Sequence, residues 1–183
     1  MESRGVVRRV AGLLRAVNVG GRKLLMTDLV RLATVAGFDQ TQTLLASGNV
    51  VFGTELSNSE AEGRLEAAIL EDQGLATDVM VRDLAELRAV VSANPFPRQA
   101  AEEPSRLLVL FLKGEPVGDL DGLASTCTLG EEVRPGPGCL YLWYRQGVGV
   151  SKLTNGVIER NLGVPGTARN WNTVGKLADL LVA

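Results

Sequence analysis

The chain contains no histidine among its 183 residues. That excludes a His-based catalytic triad and imidazole acid–base chemistry. It has two cysteines, Cys127 and Cys139, too few for a disulfide framework or a zinc cluster. Two cysteines in a chain of this size point to a reducing cytoplasmic compartment. Aromatic residues make up only 4%, so Leu, Val and Ala must fill the core. No apolar run approaches the roughly 18 residues of a membrane span. The early run Val10–Leu14 is broken by Arg15 and is shorter than the ~7–15 residues of a signal h-region, so it reads as a first strand. Neither G-x-x-x-x-G-K-[ST] nor G-x-G-x-x-G occurs. Asp119-Leu120-Asp121-Gly122 opens like a calcium loop but lacks the later ligands.

What is present is ordinary for a globular domain: 45% apolar and 22% charged residues, with a net charge of −2. The charge is unevenly spread. Residues 1–53 carry seven Lys/Arg against three Asp/Glu, residues 54–105 four against eleven, and residues 106–183 eight against seven. The acidic middle argues against extended coating of nucleic acid, whereas a local basic site built from the two ends is compatible with it.

Hydrophobic periodicity divides the chain into elements. Val6–Arg15 reads as a strand. After a glycine turn, Thr27 caps a helix carrying Leu29, Leu32, Ala33 and Ala36, and Gly37 ends it. Thr43–Leu45 and Val50–Phe52 flank Ser47-Gly48-Asn49 as a hairpin. Ser59 with Glu62 forms a capping box for a helix ending at Gly74, and Thr77–Val81 is a strand. This βαββαβ order is ferredoxin-like. Asp83 and Glu86 open another helix with Leu84, Leu87 and Val91 on one face, ending before a Pro-containing linker at 95–105. The second half begins with a strand over Arg106–Lys113 and a short helix near Leu120–Ala124. Two strands surround Pro135–Gly138, and helices run over Ser151–Leu162 and Asn172–Leu181. The expectation is therefore an α+β protein of two ferredoxin-like halves in tandem with C-terminal helices: residues 1–94, a linker at 95–105, and a βαββα half at 106–183. Leu14-Arg15-Ala16-Val17-Asn18-Val19-Gly20 and Leu112-Lys113-Gly114-Glu115-Pro116-Val117-Gly118 share L-[RK]-x-x-x-V-G, which suggests internal duplication.

Four polar groupings are candidate sites. Arg15, Asn18, Gly20, Gly21, Arg22 and Lys23 follow the first strand. Glycines there let backbone N–H groups approach a phosphate that the cations neutralise; the structural alternative is a solvated glycine loop. Ser47, Gly48 and Asn49 suit a hairpin turn as readily as a ligand. Ser151 and Lys152 read as the cap and first turn of a helix, where a cation opposes the dipole and a bound anion would relieve it. Finally, Ala168-Arg169-Asn170-Trp171-Asn172-Thr173 gathers a guanidinium, two amides, an indole and a hydroxyl into what reads as a loop between helices. Asn172 or Thr173 caps the last helix, Arg169 forks onto an anion or ties down a loop, and Trp171 packs in the core or stacks on a ligand.

These motifs, in order and across nearly the whole chain, resemble the bacterial family designated domain of unknown function 1697. The resemblance implies an α+β fold of ferredoxin-like character in a cytoplasmic setting; it does not imply an activity. The residues call for no metal and no cofactor. They are most compatible with binding a phosphorylated small molecule or single-stranded nucleic acid. An enzyme acting on a phosphorylated or carboxylated metabolite, and a structural protein that pairs through its sheet edges as a homo-oligomer, are the alternatives. No membrane partner is expected.

Overall fold

The computed structural model describes residues 6–17, 21 and 23–183. The chain divides into two compact units, residues 1–85 with 177–183, and residues 86–176.

The first unit contains β1 (Arg8–Leu14), α1 (Met26–Val35), β2 (Asp39–Thr43), β3 (Asn49–Thr54), α2 (Asn58–Gln73) and β4 (Val79–Asp83). Its sheet is antiparallel with order β2-β3-β1-β4, the ferredoxin-like arrangement. Strand alternation explains the packing. Val10, Leu14, Val50, Phe52, Val79 and Val81 form one core with Leu29, Leu32 and Ala33 of α1 and Ala61, Leu65 and Ile69 of α2. Phe38 stacks on Phe52 with ring centroids 4.2 Å apart.

Several local expectations shift. The capping box of α2 is Ser57 with Glu60, one S-x-x-E pattern earlier than Ser59 with Glu62. Glu62 is occupied elsewhere: its Oε1 accepts the N–H of Val81 at 2.8 Å, and Glu66 likewise accepts from Val79. Thr27 is not a cap, because α1 begins at Met26 with Leu25 in the capping position. Leu44 and Leu45 lie in the hairpin turn rather than in β2, and Leu45 has φ of 61°. Thr77 precedes β4 and donates its hydroxyl to the Arg15 carbonyl at 2.6 Å.

The second unit and its flanks contain α3 (Leu84–Ser92), α4 (Pro97–Glu102), β5 (Leu107–Leu112), β6 (Glu132–Gly136), β7 (Cys139–Trp143), α5 (Asn155–Leu162), β8 (Gly166–Asn170) and α6 (Trp171–Val182). Short 3₁₀ turns lie at Asp121–Leu123 and Val148–Val150. The stretch read as a linker includes α4, with Pro97 in the first turn, where its missing N–H costs nothing. In α3 the residues turned inward are Leu87 and Val90, not Val91. The segment read as a loop at 168–170 is the end of strand β8. Its few apolar residues hid the alternation.

The second sheet has order β6-β7-β5-β8, which repeats the first strand for strand. The registers agree in detail. The N–H of Leu14 donates to Gly48 O and that of Leu112 to Gly138 O, at 2.9 and 3.0 Å. The next amides, Arg15 and Lys113, donate to Asp78 O and Pro165 O, both at 2.9 Å. The two copies of L-[RK]-x-x-x-V-G therefore start at equivalent places, each ending the central strand of its sheet.

At the end of β1, Gly48 is sterically required. Gly48 has φ of +75°, and a Cβ there would sit 2.5 Å from Val17 Cγ2 and 3.1 Å from Leu14 Cβ. Gly74, at φ +62°, faces open space. Gly48→Ala should destabilise the fold by about 3 kcal/mol and Gly74→Ala by about 1 kcal/mol in urea titrations. Equal losses would contradict this packing.

Candidate functional site

The first-unit candidates gather where β1 ends. Leu13 pairs with Asn49, and the next N–H reaches Gly48 O. Asn49 is fully buried. Its side-chain amide donates to Leu44 O at 2.9 Å and to Ser47 Oγ at 2.8 Å, and its backbone carbonyl accepts from the N–H of Leu44 at 3.1 Å. Ser47-Gly48-Asn49 thus closes the β2–β3 hairpin and braces the end of β1 against it. Arg15 faces Asp78 at 3.8 Å and is one-third exposed. Ala16 follows with φ of 51°, a conformation few non-glycine residues adopt. Gly21 and Lys23 are exposed. Asn18, Gly20 and Arg22 lie outside the described residues.

In the second unit, Ser151 and Lys152 do not open a helix. Ser151 is extended and Lys152 sits in a bend whose carbonyl accepts the N–H of Thr154 at 3.0 Å, and α5 starts at Asn155 behind Thr154, whose Oγ1 accepts the N–H of Val157. The conflict between Lys152 and a helix dipole therefore does not arise. Ser151 instead donates its hydroxyl to Glu131 Oε1 and accepts the N–H of Leu153 at 3.0 Å. The other Glu131 oxygen accepts from Leu129 N–H at 2.8 Å. Burial works to raise the Glu131 carboxyl. The hydrogen bonds from Ser151 and from backbone N–H groups outweigh it and hold the group below its ordinary value. Tyr144, buried beside this group, donates to Leu153 O at 2.8 Å, and burial pushes its phenol up. Lys152 is therefore an exposed ammonium on a backbone pinned on both sides. Among the described residues its side chain has no hydrogen-bond or ion-pair partner.

Arg169 lies in β8 and is 7% exposed. Its Nη1 donates to Thr167 Oγ1 at 2.7 Å and to Ala168 O at 2.8 Å. Burial lowers its pKa to about 10, so desolvation outweighs its stabilising contacts. Asn170, not Asn172 or Thr173, caps α6. Its Oδ1 accepts from the Thr173 N–H at 3.0 Å and the Thr173 hydroxyl at 3.1 Å. Trp171 is half-buried and its backbone N–H reaches Pro104 O at 3.3 Å, while Asn172 is exposed.

The registers bring the second-unit groups to one end of their sheet. Glu132 and Leu107 both pair with Trp143, and Leu108 pairs with Asn170. Four strands at the usual spacing put about 14 Å between the β6 and β8 sides of this row. Exposed Arg145 and half-buried Arg106 belong to the same end; Arg106 pairs with Glu103 at 2.6 Å and donates to Arg145 O at 3.0 Å. The first-unit candidates sit at the end of their own sheet where the central strand finishes. The second-unit candidates sit where the central strand starts.

Sequence reasoning missed Glu131, Asp78 and Tyr144. Only their position relative to Ser151, Arg15 and Leu153 marks them, and no local pattern announces it. Among the described residues no group of three or more His, Cys, Asp or Glu is placed to hold a metal ion. No described helix is long and apolar enough to cross a membrane. The Cys127 thiol is pushed up by burial and by Glu131, which opposes nucleophilic use.

A family model described as "Protein of unknown function (DUF1697)" matches residues 7–141. No curated protein matches the chain. Among solved structures, the conserved bacterial protein SP0830 from Streptococcus pneumoniae is similar at 22% identity and a TM-score of 0.68. The match covers 96% of this chain and 99% of that one. At that identity the likeness speaks for the fold alone.

Two outcomes test these local roles. Asn170→Ala should cost about 1 kcal/mol through the lost cap, while exposed Asn172→Ala stays within about 0.5 kcal/mol. A carboxylate held below its unfolded value of 4.5 contributes stability above that value and loses it as pH falls through the folded one. Ser151→Ala should therefore destabilise at pH 7 by about 1 kcal/mol and move acid unfolding to higher pH. The gap from wild type should narrow once Glu131 is protonated. A gap unchanged from pH 7 to pH 3 would sink this assignment.

Proposed function

The chain belongs to the DUF1697 family, and from that footing we propose that it binds a small phosphate-bearing ligand such as a nucleotide or a short single-stranded RNA end. The observation that carries the reading is Lys152, an exposed, unpartnered cation on a rigid mount. Ser151 beside it is locked to a buried carboxylate, and the Leu153 carbonyl is locked to Tyr144. Fixing the backbone beneath a flexible ammonium lowers the ordering cost of meeting a phosphate. Arg145, Asn172 and half-buried Trp171 belong to the same sheet end, and an indole can add stacking of about 1–3 kcal/mol per base.

A second reading, in which the polar motifs serve the fold, is favoured by a different observation. Asn49, Ser151 and Asn170 each spend their hydrogen-bonding capacity on neighbouring backbone or side chains. The two readings divide the residues rather than compete for all of them, and Lys152 and Asn172 separate them. An enzyme acting on a phosphorylated or carboxylated metabolite would use the same ligand-facing cations and would add turnover to binding.

Thermal shift and calorimetry against nucleotides, sugar phosphates and short RNAs test the proposal. At least one ligand should raise the melting temperature. Lys152→Ala should weaken its binding roughly tenfold, as expected for one charge-assisted contact, with the unliganded melting temperature unchanged. Arg169→Ala should lower the melting temperature itself. No shift with any ligand class, or full affinity in Lys152→Ala, would reject the reading.

A further inference from the structure

β4 is an edge strand of the first sheet, and edge strands normally offer N–H and C=O groups to any passing strand. Here α2 takes those groups. Glu66 Oε1 accepts from Val79 N–H and Glu62 Oε1 from Val81 N–H, both at 2.8 Å. The Val81 carbonyl accepts from Asn58 Nδ2 at 3.2 Å and from Arg82 Nη1 at 2.8 Å. Arg82 and Glu62, the two sides of this cover, lie 3.9 Å apart. Glu62 and Glu66 are one helical turn apart, and Val79 and Val81 two residues apart on a strand, so one helix face meets one strand edge.

The second sheet carries a thinner version. Glu159 of α5 accepts from Gly166 N–H at 2.9 Å at the start of β8, and Arg169 covers Ala168 O. By register Gly166 is the counterpart of Val79, and Arg169 that of Arg82. The same device closes equivalent edges in both halves.

We propose that the β4 edge is a self-pairing surface held shut by α2, and that removing the cover lets a second copy of this chain add to it antiparallel about Val81. The choice of partner follows from the strand. Val81 turns both its N–H and its C=O away from β1, so two copies related by a twofold axis exchange both bonds between their own Val81 residues. Val79 then faces Asp83, and Met80 faces Arg82. The two β-branched valines suit a paired strand.

The test compares full-length Glu62→Ala/Glu66→Ala with Glu62→Gln/Glu66→Gln by sedimentation over a concentration series, with hydrogen exchange read at residues 79–83. The Gln oxygens still accept the edge N–H groups, so that variant should behave as wild type. The Ala variant should raise the self-association constant at least roughly tenfold, equivalent to about 1.4 kcal/mol, and keep its edge amides protected in the associated form. Glu66 is less buried than Glu62, so Glu66→Ala alone disturbs the fold less and carries the test if the double variant unfolds; it should associate to an intermediate degree. Glu71→Ala, exposed on the same helix, should change nothing. An Ala variant that loses protection at Val79 and Val81 without associating overturns the proposal. So does a Gln variant that associates as strongly as the Ala variant.

Discussion

Each sheet hangs on its first strand. β1 and β5 are paired on both sides along most of their length, and every other strand reaches its sheet through them. The last hydrogen bonds of these strands are the critical ones. Leu14 and Leu112 each tie into the turn before their neighbour, and Arg15 and Lys113 into the segment before the fourth strand. A slip by one residue would send Val10 and Leu14 away from α1 and α2 and turn Leu13 toward them. Gly48, buried Asn49 and the Thr77 hydroxyl all secure that register at the end of β1.

The architecture was legible because the apolar residues alternate where strands lie and recur at helical spacing where helices lie. Val10 with Leu14, Val50 with Phe52, and Leu29 with Leu32 and Ala33 meet in one core as their periods require. β8 escaped because its residues, Gly-Thr-Ala-Arg-Asn, carry almost no hydrophobic signal; its pairing with β5 makes it a strand. The α2 cap was misassigned because Ser57-x-x-Glu60 and Ser59-x-x-Glu62 overlap, and only tertiary structure reveals that Glu62 belongs to β4. Ser151 was misplaced for a related reason: its hydrogen bond goes to Glu131, twenty residues away, and not forward into a helix.

The site was legible as a set of segments and not as a set of roles. Polar residue types mark capping, hairpin closure and ligand contact alike, and local spacing does not separate them. Distances do. Asn49 and Asn170 are fully engaged by their neighbours, Arg15 meets Asp78, and Arg169 folds onto its own strand. Lys152 and Asn172 remain outward.

The paired arginines of the fourth strands, Arg82 and Arg169, bend a guanidinium back onto the carbonyl just before them, at the same distance and the same register position. A long cationic side chain used this way fills an acceptor that the strand edge would otherwise offer to another strand. Each of the two sheets carries one, at the same place in its register. In each sheet the carbonyl two residues into the fourth strand is filled by the strand's own arginine, so this part of edge closure does not depend on a second element.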